Sequence, residues 1–252
     1  MSLELPLVLV TQKDYLESFQ AGKVFMKNCL CYQDLENDDP QRGDKYDSAI
    51  KCGYEGYNLP DWVKNEVKNP RLMNPLTYIK CFFHYQRKDI KRTLDNKLLF
   101  QISEQSAQEL KRFSEDYALF IFDVPEFIKR FCSACEKYHL HYYWGDVSYV
   151  SDDEYIEYEK KVINQMAVTN TEVISHFAFI KRTKYDLQQE FRLVVNFSTS
   201  QVFFKNEFTV HESIGFEMDK IDDISIIVKL SQLVDNPVVF EIDKRRLFFK
   251  NT

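Results

Sequence analysis

Apolar residues change their spacing several times along this chain, and each change predicts an element. Between Pro125 and Lys137 the residues Phe127, Ile128, Phe131 and Cys135, with Tyr138 just beyond, recur at helical intervals, which predicts a helix with one buried stripe and Pro125 in its first turn. Before it, Tyr117 to Asp123 is a short continuous apolar run and reads as a buried strand; after it, His139 to Val150 reads as another. Ser151-Asp-Asp-Glu154 has the spacing of a capping box and opens a helix toward Gln165, and Ser106-Ala-Gln-Glu109 does the same for a helix running toward Glu115.

Nearer the start, Thr11 is placed to cap a helix over 14–20 that Gly22 terminates, and a strand follows over 23–32. Residues 76–85 predict a strand, and Glu190 to Phe197 alternate polar and apolar. Ser198 to Gln201 turns the chain into Val202-Phe-Phe204, and further strands are expected at 224–228 and 238–249. Helices and strands interleave without glycine-rich turns between them. The expectation is an α+β fold, a largely antiparallel sheet with interleaved helices, in one domain over 1–252 with no proline- or serine-rich linker.

Composition narrows the function classes. Six glycines leave no G-x-G-x-x-G, G-x-x-x-x-G-K or G-x-S-x-G anywhere, which removes the usual dinucleotide, P-loop and α/β-hydrolase signatures. A net charge of −6 counts against a general nucleic-acid binder, which needs a basic face. No apolar run approaches the roughly 18 residues of a membrane span, so no membrane partner is expected. Six cysteines lie mostly in apolar segments without an apolar leader before them, and the expectation is a cytoplasmic protein with reduced thiols.

Three stretches carry candidate chemistry. Cys132-x-x-Cys135 with His139 and His141 supplies zinc-type donors, yet Cys135 falls on the apolar helical stripe, which favours a core thiol and no metal. The loop from Asp38 to Asp47 offers carboxylates for a divalent cation, and its Arg42-Gly43 step offers a donor to a phosphate or carboxylate; a solvated acidic loop is the plain alternative. In Tyr185 to Val195, a strand beginning near Glu190 puts Gln188, Glu190 and Arg192 on one face and Phe191, Leu193 and Val195 on the other. Lys181, Arg182 and Lys184 add positive charge beside that polar row. The ligand-binding candidates are therefore Arg42, Lys181, Gln188 and Arg192, with Glu190 as the candidate catalytic group; the alternative is an outward-facing ion pair of little consequence.

Several segments together resemble the bacterial domain-of-unknown-function family 2971. Gly22-Lys-Val-Phe-Met26, the acidic loop, Cys81-Phe-Phe83, the run from Lys181 to Arg192 and Ile221-Asp-Asp-Ile-Ser-Ile226 are similar to its successive motifs. The resemblance implies an α+β domain of bacterial or phage origin with a cluster around Glu190 and Arg192, and carries no activity with it. Separately, Gln188-Gln189-Glu190 resembles the Q-x-E motif of ADP-ribosyltransferases. That resemblance implies NAD as cosubstrate, with Glu190 hydrogen-bonding the nicotinamide ribose and stabilising an oxocarbenium-like transition state. From a different class stands a non-catalytic binding protein of a mobile element or defence locus, with a small nucleotide or a protein as its partner.

Overall fold

The computed structural model describes residues 5–29, 31–32, 77–92, 97–113, 115–158, 177–196, 212–241 and 246–249. The strands in chain order are β1 Leu7–Val10, β2 Lys23–Asn28, β3 Thr77–His84, β4 Ile90–Arg92, β5 Lys97–Phe100, β6 Tyr117–Ile121, β7 His141–Asp146 and β8 Ser148–Val150. They continue as β9 Ile180–Arg182, β10 Glu190–Asn196, β11 Ser213–Glu217, β12 Ser225–Lys229, β13 Val238–Glu241 and β14 Arg246–Phe249. Among the described residues the helices include α1 Lys13–Gln20, α2 Glu104–Lys111, α3 Val124–Lys137 and α4 Leu230–Asp235, and residues 152–158 are helical too, opened by the expected Ser151–Glu154 capping box. The class is α+β with a large antiparallel sheet, as the interleaving predicts.

Strand β3 organises that sheet. Along one edge it pairs with β10 over the whole of that strand, from Glu190↔Phe83 to Asn196↔Thr77, and β10 in turn pairs with β7. The other edge is divided between two strands. β1 holds its end through Leu7↔His84 and Val8↔Phe83, while β2 holds its beginning through Lys27↔Ile79 and Asn28↔Tyr78. Beyond them the sheet continues as β1-β6-β12 in one direction and β2-β11 in the other, so it forks at Lys80 to Phe82.

Both faces are buried. On one, Leu7, Leu9, Phe82, Leu119, Phe191 and Leu193 pack under α1 and α3, where Phe19, Phe82 and Phe127 meet edge-on or tilted at 5.6–6.1 Å. On the other, Val8, Phe83, Ala118 and Phe120 pack against Leu98 and Phe100 of the small sheet β14-β13-β5-β4 and against α2 and α4. α3 forms as its spacing predicts: Asp123 accepts from the Glu126 amide, Pro125 lies in the first turn, and Phe127, Phe131 and Cys135 are buried. Gly22 ends the turn after α1 at φ +96°, where its own carbonyl accepts from the Met218 amide at 2.8 Å.

Several boundaries differ from expectation. The cap of α2 is Ser103, not Ser106, and the helix stops at Lys111; Ser106 uses its hydroxyl elsewhere, and Glu109 pairs with Arg112. Gln12, not Thr11, occupies the cap position of α1. β2 ends at Asn28, and the expected strands over 139–150 and 238–249 are each divided in two, at Val147 and before Arg246. Strands β1, β4, β5, β9 and β11 and helix α4 are not among the elements that the sequence pattern predicts. The turn at 198–201 and the strand at 202–204 lie outside the described residues. Among the described residues no helix is long and apolar enough to cross a membrane.

Candidate functional site

Alternation on β10 turns Glu190 and Arg192 to the same side, and that side is interior. The alternative of an outward-facing ion pair does not hold: Arg192 is wholly buried, Lys181 is 3% exposed and Glu190 is 11% exposed. Arg192 lies between Cys81 on β3 and Gly145 on β7, two small neighbours that leave the face open for a long side chain to turn back along the strand. Its Nε donates to Glu190 Oε2 at 2.7 Å and its Nη1 to the Ala178 carbonyl at 2.8 Å.

The second cation arrives through a different pairing. After β7 the chain continues into β8, which runs parallel to β9 with Tyr149 opposite Lys181. Lys181 Nζ therefore reaches Glu190 Oε1 at 2.6 Å and Gln188 Oε1 at 2.7 Å, with the Tyr185 ring 4.7 Å away. The Tyr149 hydroxyl accepts from the Glu190 amide at 2.8 Å, and burial, with the Glu190 charge adding to it, pushes its own proton loss upward. Burial alone pushes the Glu190 carboxyl up as well, but the charges and hydrogen bonds of Arg192 and Lys181 overcome it and hold the group well below the ordinary range. The cluster is thus one carboxylate between two cations, with net positive charge.

Gln189 interrupts the alternation. At φ 43° it adopts the left-handed conformation that closes the 3-10 turn over 183–188, and its side chain turns into a separate buried network. Its amide nitrogen donates to Asp89 Oδ2 at 3.0 Å, and its amide oxygen accepts from the Ser106 hydroxyl at 2.9 Å. Burial pushes the Asp89 carboxyl up, opposed by the Gln86 amide. Nearby, His84 Nδ1 pairs with Asp146.

A groove of about 410 Å³ extends from the fork in the sheet to this cluster. Tyr15, Phe25, Lys27 and Lys80 line it at the fork, and Gln188, Lys181, Glu190 and Arg192 line it at the cluster. Four of the five residues singled out from sequence are therefore in one place; Arg42 lies outside the described residues. Tyr149, Gln189 and the two lysines at the fork were missed. Lys80 alone left a visible signal, a single charge inside the apolar run from Tyr78 to Phe83.

The zinc-type donors are dispersed: Cys135 is in the core, while His139 and His141 are exposed. Among the described residues no three His, Cys, Asp or Glu side chains converge as a metal site. No protein-family model, curated protein or solved structure matches the chain.

Proposed function

We propose that the chain is a binding protein for a small anionic ligand carrying a planar ring, with a nucleotide as the first candidate. The observation that carries the reading is the groove itself. Its cations are Lys27, Lys80, Lys181 and Arg192; its carboxylates are Glu190, already shared by two cations, Glu109, paired with Arg112, and Glu115. A net positive, partly enclosed wall attracts anions and holds its field without rearranging when one arrives. Tyr15 and Phe25, with ring centroids 6.5 Å apart, supply the apolar surface for a planar group.

The surroundings of Glu190 favour this reading over ADP-ribosyl transfer from NAD. Each of its carboxylate oxygens is held at 2.6–2.7 Å by a buried cation, so bonding a ribose would weaken a counter-charge that Arg192 and Lys181 require. A carboxylate held below its ordinary range is also a poor proton acceptor. The test is the melting temperature of the full chain with millimolar ATP, AMP or NAD. A ligand at ten times its Kd adds about 1.4 kcal/mol and raises the melting temperature measurably. No shift with any of the three would refute the proposal, and release of nicotinamide from NAD would restore the transferase.

A further inference from the structure

Where the sheet forks, two lysines line the groove. Lys27, on β2, pairs with Ile79, and Lys80 is the next residue along β3, so the two side chains approach the fork from opposite faces of the sheet. Lys80 is partly buried, with its ammonium over the face of Phe19 at 5.2 Å from the ring centroid. It lines the groove and also a second crevice bounded by Tyr15, Phe19, Lys23, Phe25, Tyr138 and Glu217, so it stands where the two openings adjoin. Among the described residues neither Lys27 nor Lys80 has a carboxylate at ion-pair distance, whereas Lys181 and Arg192 in the same groove share one. An ammonium withdrawn from water without a counter-charge is costly, and an anion from solution removes that cost.

We propose that Lys80 and Lys27 form the anion subsite of the groove and take a phosphate group of the ligand, while Tyr15 and Phe25 flank its planar part. The inference rests on the reading of the groove as a site for a small anionic ligand, and names the end at which the charge is held.

The subsite carries its own pH signature. The titratable groups lining the two openings that share Lys80 include Tyr15 from α1, Lys23 and Lys27 from β2, Cys81 on β3, Tyr138 after α3, Glu217 from β11, Glu109 and Glu115, and, at the cluster end, Lys181, Glu190 and Arg192. Burial pushes the Lys80 ammonium down to about 8; the like charge of Lys27 adds to this and Cys81 opposes it. Because the anion needs the charged form, affinity is full below that value and falls above it, by up to about tenfold per pH unit.

The experiment is calorimetric titration of the full chain with ATP and with adenosine, at pH 7.5 and pH 9.5 and constant ionic strength, for wild type, Lys80→Met and Lys80→Arg. The ATP phosphates hold a constant charge over this range. Wild type should bind ATP at least tenfold more weakly at the higher pH, with adenosine insensitive to pH. Lys80→Met should lose tenfold or more at pH 7.5, and Lys80→Arg should bind ATP equally at both. Should Lys80→Met fail to fold, the flat profile of Lys80→Arg carries the test. Equal binding of ATP by wild type and Lys80→Met, or an unchanged pH dependence in Lys80→Arg, overturns the subsite and leaves the groove standing as a site. Absence of ATP binding by wild type overturns the subsite, and the groove reading falls with it when AMP and NAD also give no shift in melting temperature.

Discussion

Lys181 Nζ and Glu190 Oε1 lie 2.6 Å apart because the 3-10 turn between them folds the chain back from β9 onto the start of β10. The pair belongs to the interior as much as to the groove, and this fixes what its loss should do. Glu190→Gln leaves Lys181 and Arg192 buried beside a neutral amide, and a buried pair broken from one side costs about 3–5 kcal/mol. Urea unfolding of the variant should show a loss of that order. A loss under about 1 kcal/mol would place the carboxylate in water instead.

The same carboxylate sets an acid dependence. Its folded proton affinity is held below the ordinary glutamate value of 4.5, so its contribution is complete above that value and disappears as pH falls through the folded one. Stability measured from pH 6 downward should therefore fall less steeply for Glu190→Gln than for wild type once pH drops below about 4.5. Parallel curves would mean that the carboxylate is not held down by its cations.

The α3 stripe is tested by Phe131→Ala. Phe131 is wholly buried, with its ring against Tyr142 and Phe216 at 6.2 Å, and removal of a core phenylalanine costs about 3–5 kcal/mol. Denaturant midpoints read the effect directly.

At Gly22 a methyl group would collide with the Met218 carbonyl, and φ +96° is strained for any residue with a Cβ. Gly22→Ala should cost about 2 kcal/mol or more, and an unchanged midpoint would show that the turn is free to relax.

Thiol labelling separates the cysteines of α3. Cys135 is buried and its thiol is pushed up to about 12, chiefly by burial, whereas Cys132 is partly exposed with a smaller shift in the same direction. Iodoacetamide at pH 8, followed by peptide mass spectrometry, should modify Cys132 well before Cys135 in the native protein and both alike in urea.

The elements that declared themselves in the sequence are those whose signals are local. α3 has its stripe, its capping aspartate and its proline within one segment, and β10 has its alternation. Alternation assigns a residue to a face but does not say what covers that face, and so the polar row of Gln188, Glu190 and Arg192 was legible while its burial was not. The turn that brings Lys181 to Glu190 leaves a strand, β9, that is paired in parallel with β8, a relation between distant segments. Ser106 resembled a cap because its spacing to Glu109 was right; Ser103 held that position, and Ser106 was taken by Gln189. The charge of Lys80 stood out in its strand, but its lack of a counter-ion is a property of the fork.

That fork also orders the way the molecule can be made. Strand β3 has no local partner: its neighbours come from the first thirty residues on one edge and from beyond residue 189 on the other. During synthesis β1, β2 and β6 emerge before β10, and until Asn196 has left the ribosome the edge from Thr77 to Phe83 has no mate. A growing chain held at that stage exposes an apolar strand edge able to recruit a strand from another chain. Closure over long sequence separations also makes refolding slow for a protein of this size. Arrival of β10 ends the exposure and brings Arg192 under cover in the same step, so the strand that completes the pairing of β3 also carries Glu190 and Arg192 into the groove.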